Sequence, residues 1–594
     1  MNKKNDFINK LLNFLFNKNN GKWILVLFII AIILRIIAAN NLTTNADEML
    51  HATHAIDISK AKVLQIMDED PVWFYLTDLG YKLFGVSMFS GRLLSILFGA
   101  LSVLIIYLLG AEMFNKKVGF ISAFILTFSP FYLINTLAEM DIAMTFFILL
   151  SAYLMIRGLK EENKSLLILS YIFFGIAVLT KTIAATFLPA FVIFFIYFKY
   201  KKGIKILSKS NVKQLFIFAI ILLLLLTPIF TFNYLLYKDK GIVDVQFARF
   251  LGVGKEVYAS IEGTMKPFSV HDLFFNYQGH KPGIYEGLKY YYIFDIVTFI
   301  LGIGGLLISF RKRFSSSLFL SLLFIFPFTF LAGTSILTYH FSFGVPIFAL
   351  FAANTLIFLQ NKIKKLFKIN KKIIFFTLMI LLLISSFIIL NKQSPTIFKE
   401  KSEVGKMMDF SKNIEDNSLV IVDARVYRGR IAWIFNDKHY LEASYLENVL
   451  NNINQLPGDT IPLQTYFIEC IVDDCGWGSI ANQPEFNQSM ENIVDLFINI
   501  SKPIKEITNS YGNPYFRIYK TNLPLKQSVL DVADSTHIWF YYPVRYKADD
   551  WFDKYQTHNS FDSLLDKFAH IILYLSIFIA ILSIFYVFYL LIEK

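Results

Sequence analysis

Asn45-Ala46-Asp47-Glu48-Met49-Leu50-His51 follows directly on an apolar run from Trp23 to Ala39. Such a run is long enough to cross a bilayer, since ~20 apolar residues cover ~30 Å of hydrocarbon. Two adjacent carboxylates, Asp47 and Glu48, therefore stand at the mouth of a membrane helix. Acids in that place either cap a surface helix, whose N-terminus favours negative charge, or react with something held at the membrane surface. The rest of the chain bears on the choice.

The chain has 594 residues, 55% hydrophobic and 17% charged. A soluble domain is nearer ~25% charged, and the mean hydropathy here is +0.51. These values describe a polytopic membrane protein. The 63 Phe and 31 Tyr are more than one buried core needs; lipid-facing surfaces and interfacial belts take such residues. The net charge of +12 comes from lysines and arginines clustered in short loops between apolar runs. That is the positive-inside pattern, and it argues against a nucleic-acid partner. No small-residue cleavage site follows the first apolar run, so it reads as a retained helix. The only cysteines, Cys470 and Cys475, are too few for a zinc framework. A small-loop disulfide and two free thiols both fit them.

The lysine-bearing N-terminus is expected on the cytoplasmic side, with about twelve crossings following. They fall near residues 23–39, 90–111, 118–134 and 142–157, then a hairpin of two helices turning at Thr180-Lys181-Thr182. The rest fall near 214–234, 289–310, 316–332, 341–359, 373–390 and 567–592. Ser129-Pro130 is expected to break the third, because proline removes a backbone donor. This count keeps the strongly basic loops on one side and puts the clustered carboxylates and histidines on the other, in outer loops 40–89 and 235–287. The predicted division is a transmembrane catalytic domain over 1–394, an extracytoplasmic α/β domain over 395–566 and a final helix over 567–594, with both termini cytoplasmic. Within the polar domain, Ser418–Asp423 and Tyr515–Tyr519 read as strands. No Gly-rich phosphate loop occurs, so no nucleotide cofactor is expected.

Several motifs occur in order between Asp47 and Arg157. They are Ala46-Asp47-Glu48-Met49, Glu69-Asp70-Pro71-Val72-Trp73-Phe74-Tyr75, Tyr81-Lys82-Leu83-Phe84-Gly85, Ser90-Gly91-Arg92-Leu93, Phe114 to Gly119, and Glu139-Met140-Asp141 running on to Phe147. This quarter of the chain resembles the polytopic GT-C glycosyltransferases of the protein-O-mannosyltransferase and aminoarabinose-transferase type. The resemblance implies a GT-C fold and transfer of a sugar, with inversion, from a polyprenyl-phosphate donor such as dolichyl phosphate mannose. The acceptor would be a protein, lipid or glycan at the extracytoplasmic face. Further on, Gly279-His280-Lys281-Pro282 before Tyr290-Tyr291-Tyr292 is similar to the aminoarabinose branch, with His280 and Pro282 one residue closer than usual. Tyr339-His340 through Pro346 is similar to the family's proline-rich entry to a late helix, with Phe343 replacing one proline. No site residue is carried from it. Asp70 stands where the family often has a lysine, and the Trp-Trp-Asp signature of an oligosaccharyltransferase is absent.

Sugar transfer from a lipid phosphate needs a base for the acceptor hydroxyl, worth typically ~10²–10⁴-fold. It also needs positive charge for the departing phosphate. On the resemblance, Asp47 is the first candidate base, with Glu48 beside it and Asp141 second, orienting the acceptor or Asp47. The plain alternative for Asp47 and for Asp141 is a helix cap. Glu69 with His280 resembles the metal pair of the aminoarabinose branch, suited to a divalent ion such as Zn, Mg or Mn; the alternative is a solvated acid and an interfacial histidine. Lys281 and Arg249 are candidates for the donor phosphate or for lipid headgroups. His51 and His54 share a helix face, Arg92 reads as structural, and Trp73, Phe74 and Tyr75 read as an interfacial belt. Two rival classes are a secondary transporter or lipid flippase, and a membrane-anchored receptor. The transporter is disfavoured because the carboxylates lie at helix ends, not at midplane breaks.

Overall fold

The computed structural model describes residues 21–66, 70–205, 208–244, 246–248, 268–277, 281–423, 425, 426, 428–472, 475, 484–535 and 555–593. Among them, nine helices are long and apolar enough to cross a membrane, or ten if the bent pair Lys209–Leu225 and Thr227–Lys240 is one span. The sequence predicts about twelve. The other two predicted crossings are helical but short. One is Lys164–Thr180, and the other is Lys116–Phe128 followed by Pro130–Ile134. The latter pair shows the expected proline break, where Ser129 Oγ accepts from the Tyr132 N–H at 3.3 Å and caps the restarted helix. A second break was not legible. The long helix Gly283–Lys312 leaves helical geometry at Asp295, where Ser129 Oγ donates to the Asp295 carboxylate. Thr298 donates to the same carboxylate from its side chain and backbone. Each break is thus capped by its own side chain, and the two capping side chains bond to each other, so no polar group named here is left bare in hydrocarbon.

The helices share a polarity. Lys160 pairs with Glu112 (2.9 Å), Lys202 with Glu162 (2.9 Å) and Arg157 with Glu593 (2.9 Å) at one end, the basic end. Arg92, Asp141, Lys181 and Tyr339 lie at the opposite helix ends, the carboxylate end. There the predicted polar loop 40–89 folds into two helices, Ala46–His54 and Pro71–Phe84. Trp73, Phe74 and Tyr75, expected in an interfacial belt, are instead buried. Tyr75 meets Tyr574 of the final helix Ser560–Glu593 edge-on at 6.1 Å, and both Trp73 and Phe74 face the His51 ring.

The polar segment forms a five-stranded mixed sheet on the same end. β1 is Leu419–Val422, β2 His439–Glu442, β3 Thr460–Cys470, β4 Pro503–Thr508 and β5 Pro514–Lys526, in the order β2-β1-β3-β5-β4. β1 runs parallel to β2 and β3, while β5 is antiparallel to β3 and β4. Alternation along β1 explains its position. Val420 and Val422 join the core that extends into the membrane helices. Leu419 and Ile421 face a second core, closed by the helices Ala443–Asn451, Pro484–Ile500 and Val529–Ser535. A period of two buries both faces of the strand.

Candidate active site

The site begins with an elbow. Where the first spanning helix, Gly21–Asn41, ends, its last carbonyls need donors. Arg92 supplies them, donating to Ala39 O (2.7 Å), Leu42 O (3.0 Å) and Thr43 O (3.3 Å). Glu48 neutralises Arg92 through both oxygens, at 2.5 Å to Nε and 2.7 Å to Nη2. Glu48 also accepts from the Ala138 N–H at 2.7 Å. Both charged side chains are fully buried, and removing one partner of such a pair typically costs ~3–5 kcal/mol. Glu48, read from sequence as a catalytic companion of Asp47, is thus turned away from it and holds two backbone segments together. A second buried arginine, Arg35, braces the neighbouring loop by donating to Tyr132 O (3.3 Å) and Thr136 Oγ1 (2.9 Å).

Asp47 is not the cap of its helix. Asn45 is, its side chain accepting from the Glu48 N–H at 2.7 Å. The Asp47 carboxylate instead accepts a hydrogen bond from the phenol of Tyr339, and Asp47 stays partly exposed. Asp141 is likewise no cap, since Met140 occupies that position without a side-chain bond. Its two oxygens meet Lys181 Nζ at 2.7 Å and His340 Nδ1 at 3.2 Å. Lys181 Nζ also lies 3.2 Å from His340 Nδ1 and 5.5 Å from the centre of the Tyr339 ring. Asp47 and Asp141 are therefore joined through Tyr339, His340 and Lys181 at one helix-end cluster.

The residue after Lys181 is held by Asp70, which accepts from the Thr182 N–H at 2.7 Å and Thr182 Oγ1 at 3.0 Å. Asp70 thus fixes the turn that brings Lys181 into the cluster. Burial lowers the affinity of Lys181 for its proton, but the Asp141 and Glu139 carboxylates outweigh it and hold its pKa above the ordinary value. Glu139 is buried and bonded through Oε2 to His51 Nδ1 at 3.0 Å, one helical turn after Asp47. Burial pushes Glu139 up to about 7, against the pull of His51 and Lys181.

Among the described residues, the sequence-predicted Lys281 does not join this cluster. Lys281 is exposed and engages Tyr285, 3.3 Å from its hydroxyl and 4.4 Å from its ring centre. Arg249, Glu69 and His280 lie outside the described residues. Among the described residues no group of three or more His, Cys, Asp or Glu side chains is disposed to hold a metal ion. Sequence reasoning missed Lys181, Tyr339, His340 and the His51–Glu139 pair as site residues. Lys181 carried a signal: it is a lysine in an apolar hairpin turn on the side otherwise poor in basic residues, and ionisable groups so placed are functional candidates.

The helical bundle carries the helix-end cluster and the appended sheet on the same end, an architecture it shares with two solved proteins. Residues 68–230 match the family model described as dolichyl-phosphate-mannose-protein mannosyltransferase. The ArnT of Cupriavidus metallidurans, solved bound to undecaprenyl phosphate, superposes with a TM-score of 0.52 at 11% identity, over 84% of this chain and 98% of that one. The apo oligosaccharyltransferase of Archaeoglobus fulgidus superposes with a TM-score of 0.50 at 15% identity, over 83% of this chain and 80% of that one. An uncharacterized protein of Aquifex aeolicus is 34% identical over 131 residues, 22% of this chain. The match spans about a quarter (26%) of that relative's length.

Proposed function

We propose that this chain is a membrane glycosyltransferase that moves a sugar from a polyprenyl-phosphate donor to an acceptor on a protein, lipid or glycan. The observation that carries the reading is Asp47: partly exposed, relieved of capping by Asn45, and bonded to Tyr339 beside the Lys181–Asp141–His340 array. Asp47 takes the proton as the acceptor oxygen attacks the anomeric carbon. The bond from that carbon to the phosphate oxygen breaks on the opposite face, giving inversion, and the lipid phosphate leaves with the electron pair. Tyr339 aligns the carboxylate. Asp141 holds Lys181 and His340 in place, and Lys181 supplies positive charge near the departing phosphate.

The family match over residues 68–230 and the shared fold support this reading, as does the undecaprenyl phosphate in the ArnT crystal structure. Lys281 and Arg249 remain the proposed contacts to the donor phosphate or lipid headgroups, and Glu69 with His280 the proposed holders of a divalent ion, which would add positive charge at the phosphate. The carboxylate end would face away from the cytoplasm, as the basic loops at the other end and the Cys470–Cys475 disulfide suggest. A transporter reading gains nothing from Asp295. That residue does sit at an intramembrane helix break, but its carboxylate is engaged by Ser129 and Thr298. The test is to incubate membranes containing the protein with a panel of polyprenyl-phosphate sugars and follow release of the lipid phosphate. Release with none of the panel, from protein shown to be folded, would refute the reading.

A further inference from the structure

The helix Arg428–Ile434 follows β1 of the sheet and rests against Ala46–His54, the helix that carries Asp47. Trp433 is fully buried there. It fits because Gly91 has no side chain: a Cβ at Gly91 would fall 2.7 Å from Trp433 Cζ2 and 3.0 Å from Tyr81 Oη. The Tyr81 hydroxyl in turn donates to Ala52 O of the Asp47 helix at 3.0 Å.

Arg430 makes the polar part of this contact. Its Nε–H points at Met49 Sδ at 2.9 Å, and Nη1 donates to Cys475 O at 2.8 Å and to Tyr515 Oη at 3.2 Å. Arg430 is 6% exposed, and among the described residues no carboxylate pairs with it. A buried guanidinium whose described partners are all neutral is costly to hold, so those groups must be fixed. They are. Cys475 is joined to Cys470, the last residue of β3, by a disulfide, and it forms a parallel bridge to Val426. The Cys470 carbonyl accepts from Arg425 Nη2 at 2.6 Å, and its N–H donates to Asp423 Oδ2 at 3.0 Å.

Met49 lies two residues after Asp47, so the two side chains leave the helix about 200° apart. The helix is therefore gripped from both sides, with Tyr339 on the Asp47 face and Arg430 on the Met49 face. We propose that Arg430 is a positioning residue for Asp47, acting through the Met49 face of its helix, and that the Cys470–Cys475 disulfide holds Arg430 in that position. The sheet is thereby part of the machinery that sets the reacting carboxylate. The inference rests on the reading of Asp47 as the reacting group.

The full-length protein in detergent tests it by amide hydrogen exchange and by steady-state transfer. In Arg430→Gln and in the double variant Cys470→Ser/Cys475→Ser, exchange in residues 46–55 rises by about tenfold, the scale of one lost hydrogen bond. Exchange in Asp141–Glu161 stays as in wild type. With an active donor, kcat falls while the KM for donor holds. Arg430→Lys, which keeps the charge but not the fork that reaches both Met49 and Cys475, gives the same local increase. Unchanged exchange at 46–55 in Arg430→Gln and Arg430→Lys would overturn the proposal. So would an increase that spreads equally to Asp141–Glu161, or a local increase with kcat unchanged. Wild-type protein inactive on every donor would count against the proposed reaction alone, and exchange would still decide whether Arg430 holds the helix.

Discussion

Lys181→Met puts the Lys181–Asp141 pair to a quantitative test. Lys181 Nζ is 2.7 Å from Asp141 Oδ2, with side-chain exposures of only 10% and 1%. Methionine keeps the length of the side chain and removes the charge, leaving Asp141 buried with His340 as its remaining partner at 3.2 Å. Stranding a buried charge typically costs ~3–5 kcal/mol, whereas replacing both members of a pair is often nearly neutral. The single variant should therefore unfold at markedly lower denaturant or temperature in detergent. Lys181→Met with Asp141→Asn should recover most of the loss, giving a coupling energy of at least ~2 kcal/mol in a double-mutant cycle. Transfer should fail in both variants, because restoring stability does not restore the cation. Costs that simply add, or a single variant within ~0.5 kcal/mol of wild type, would refute the pairing and with it the placement of Lys181 in the site.

Two further outcomes follow from the same geometry. Burial raises Glu139 from 4.5 to about 7, so the folded protein holds a proton that the unfolded chain releases earlier. Stability should fall as pH rises from about 4.5 to 7 and level off above that, by part of the ~1.4 kcal/mol per unit that linkage allows. Melting curves in detergent should show this slope for wild type and its loss in Glu139→Gln. Cys470 and Cys475 are bonded and buried, so an impermeant thiol reagent should label neither on intact cells until the protein is reduced and opened. Labelling without reduction would contradict the bond, and labelling only after permeabilisation would place the sheet on the cytoplasmic side.

The apolar runs made the membrane architecture legible, because hydrocarbon leaves the backbone few alternatives to helices. Of about twelve expected crossings, nine or ten helices among the described residues are long and apolar enough to span. Lys164–Thr180 and the pair around Ser129-Pro130 are apolar, yet shorter than an ordinary span. The carboxylates were legible too, by their position after the first helix and at the start of the segment from Asp141. Their partners were not. Arg92 meets Glu48 and Tyr339 meets Asp47 across long sequence separations, and no local periodicity reports such a contact. The sequence left a cap open as the alternative for Asp47, and the structure gives that place to Asn45, with the Asp47 carboxylate turned to the Tyr339 phenol. The two cysteines left the disulfide open in the sequence, and the structure joins them at the end of β3.

Replacing Asp47 by asparagine tests the central claim most directly. Asparagine keeps the size and can still accept from Tyr339, and the Asn45 cap is untouched, so folding and donor binding should match wild type. Turnover of the polyprenyl-phosphate sugar should fall by at least the ~10²-fold expected of a lost general base, with the loss in kcat and not in KM. Turnover above about a tenth of wild type, less than that ~10²-fold loss, would contradict the assignment of Asp47 as the base.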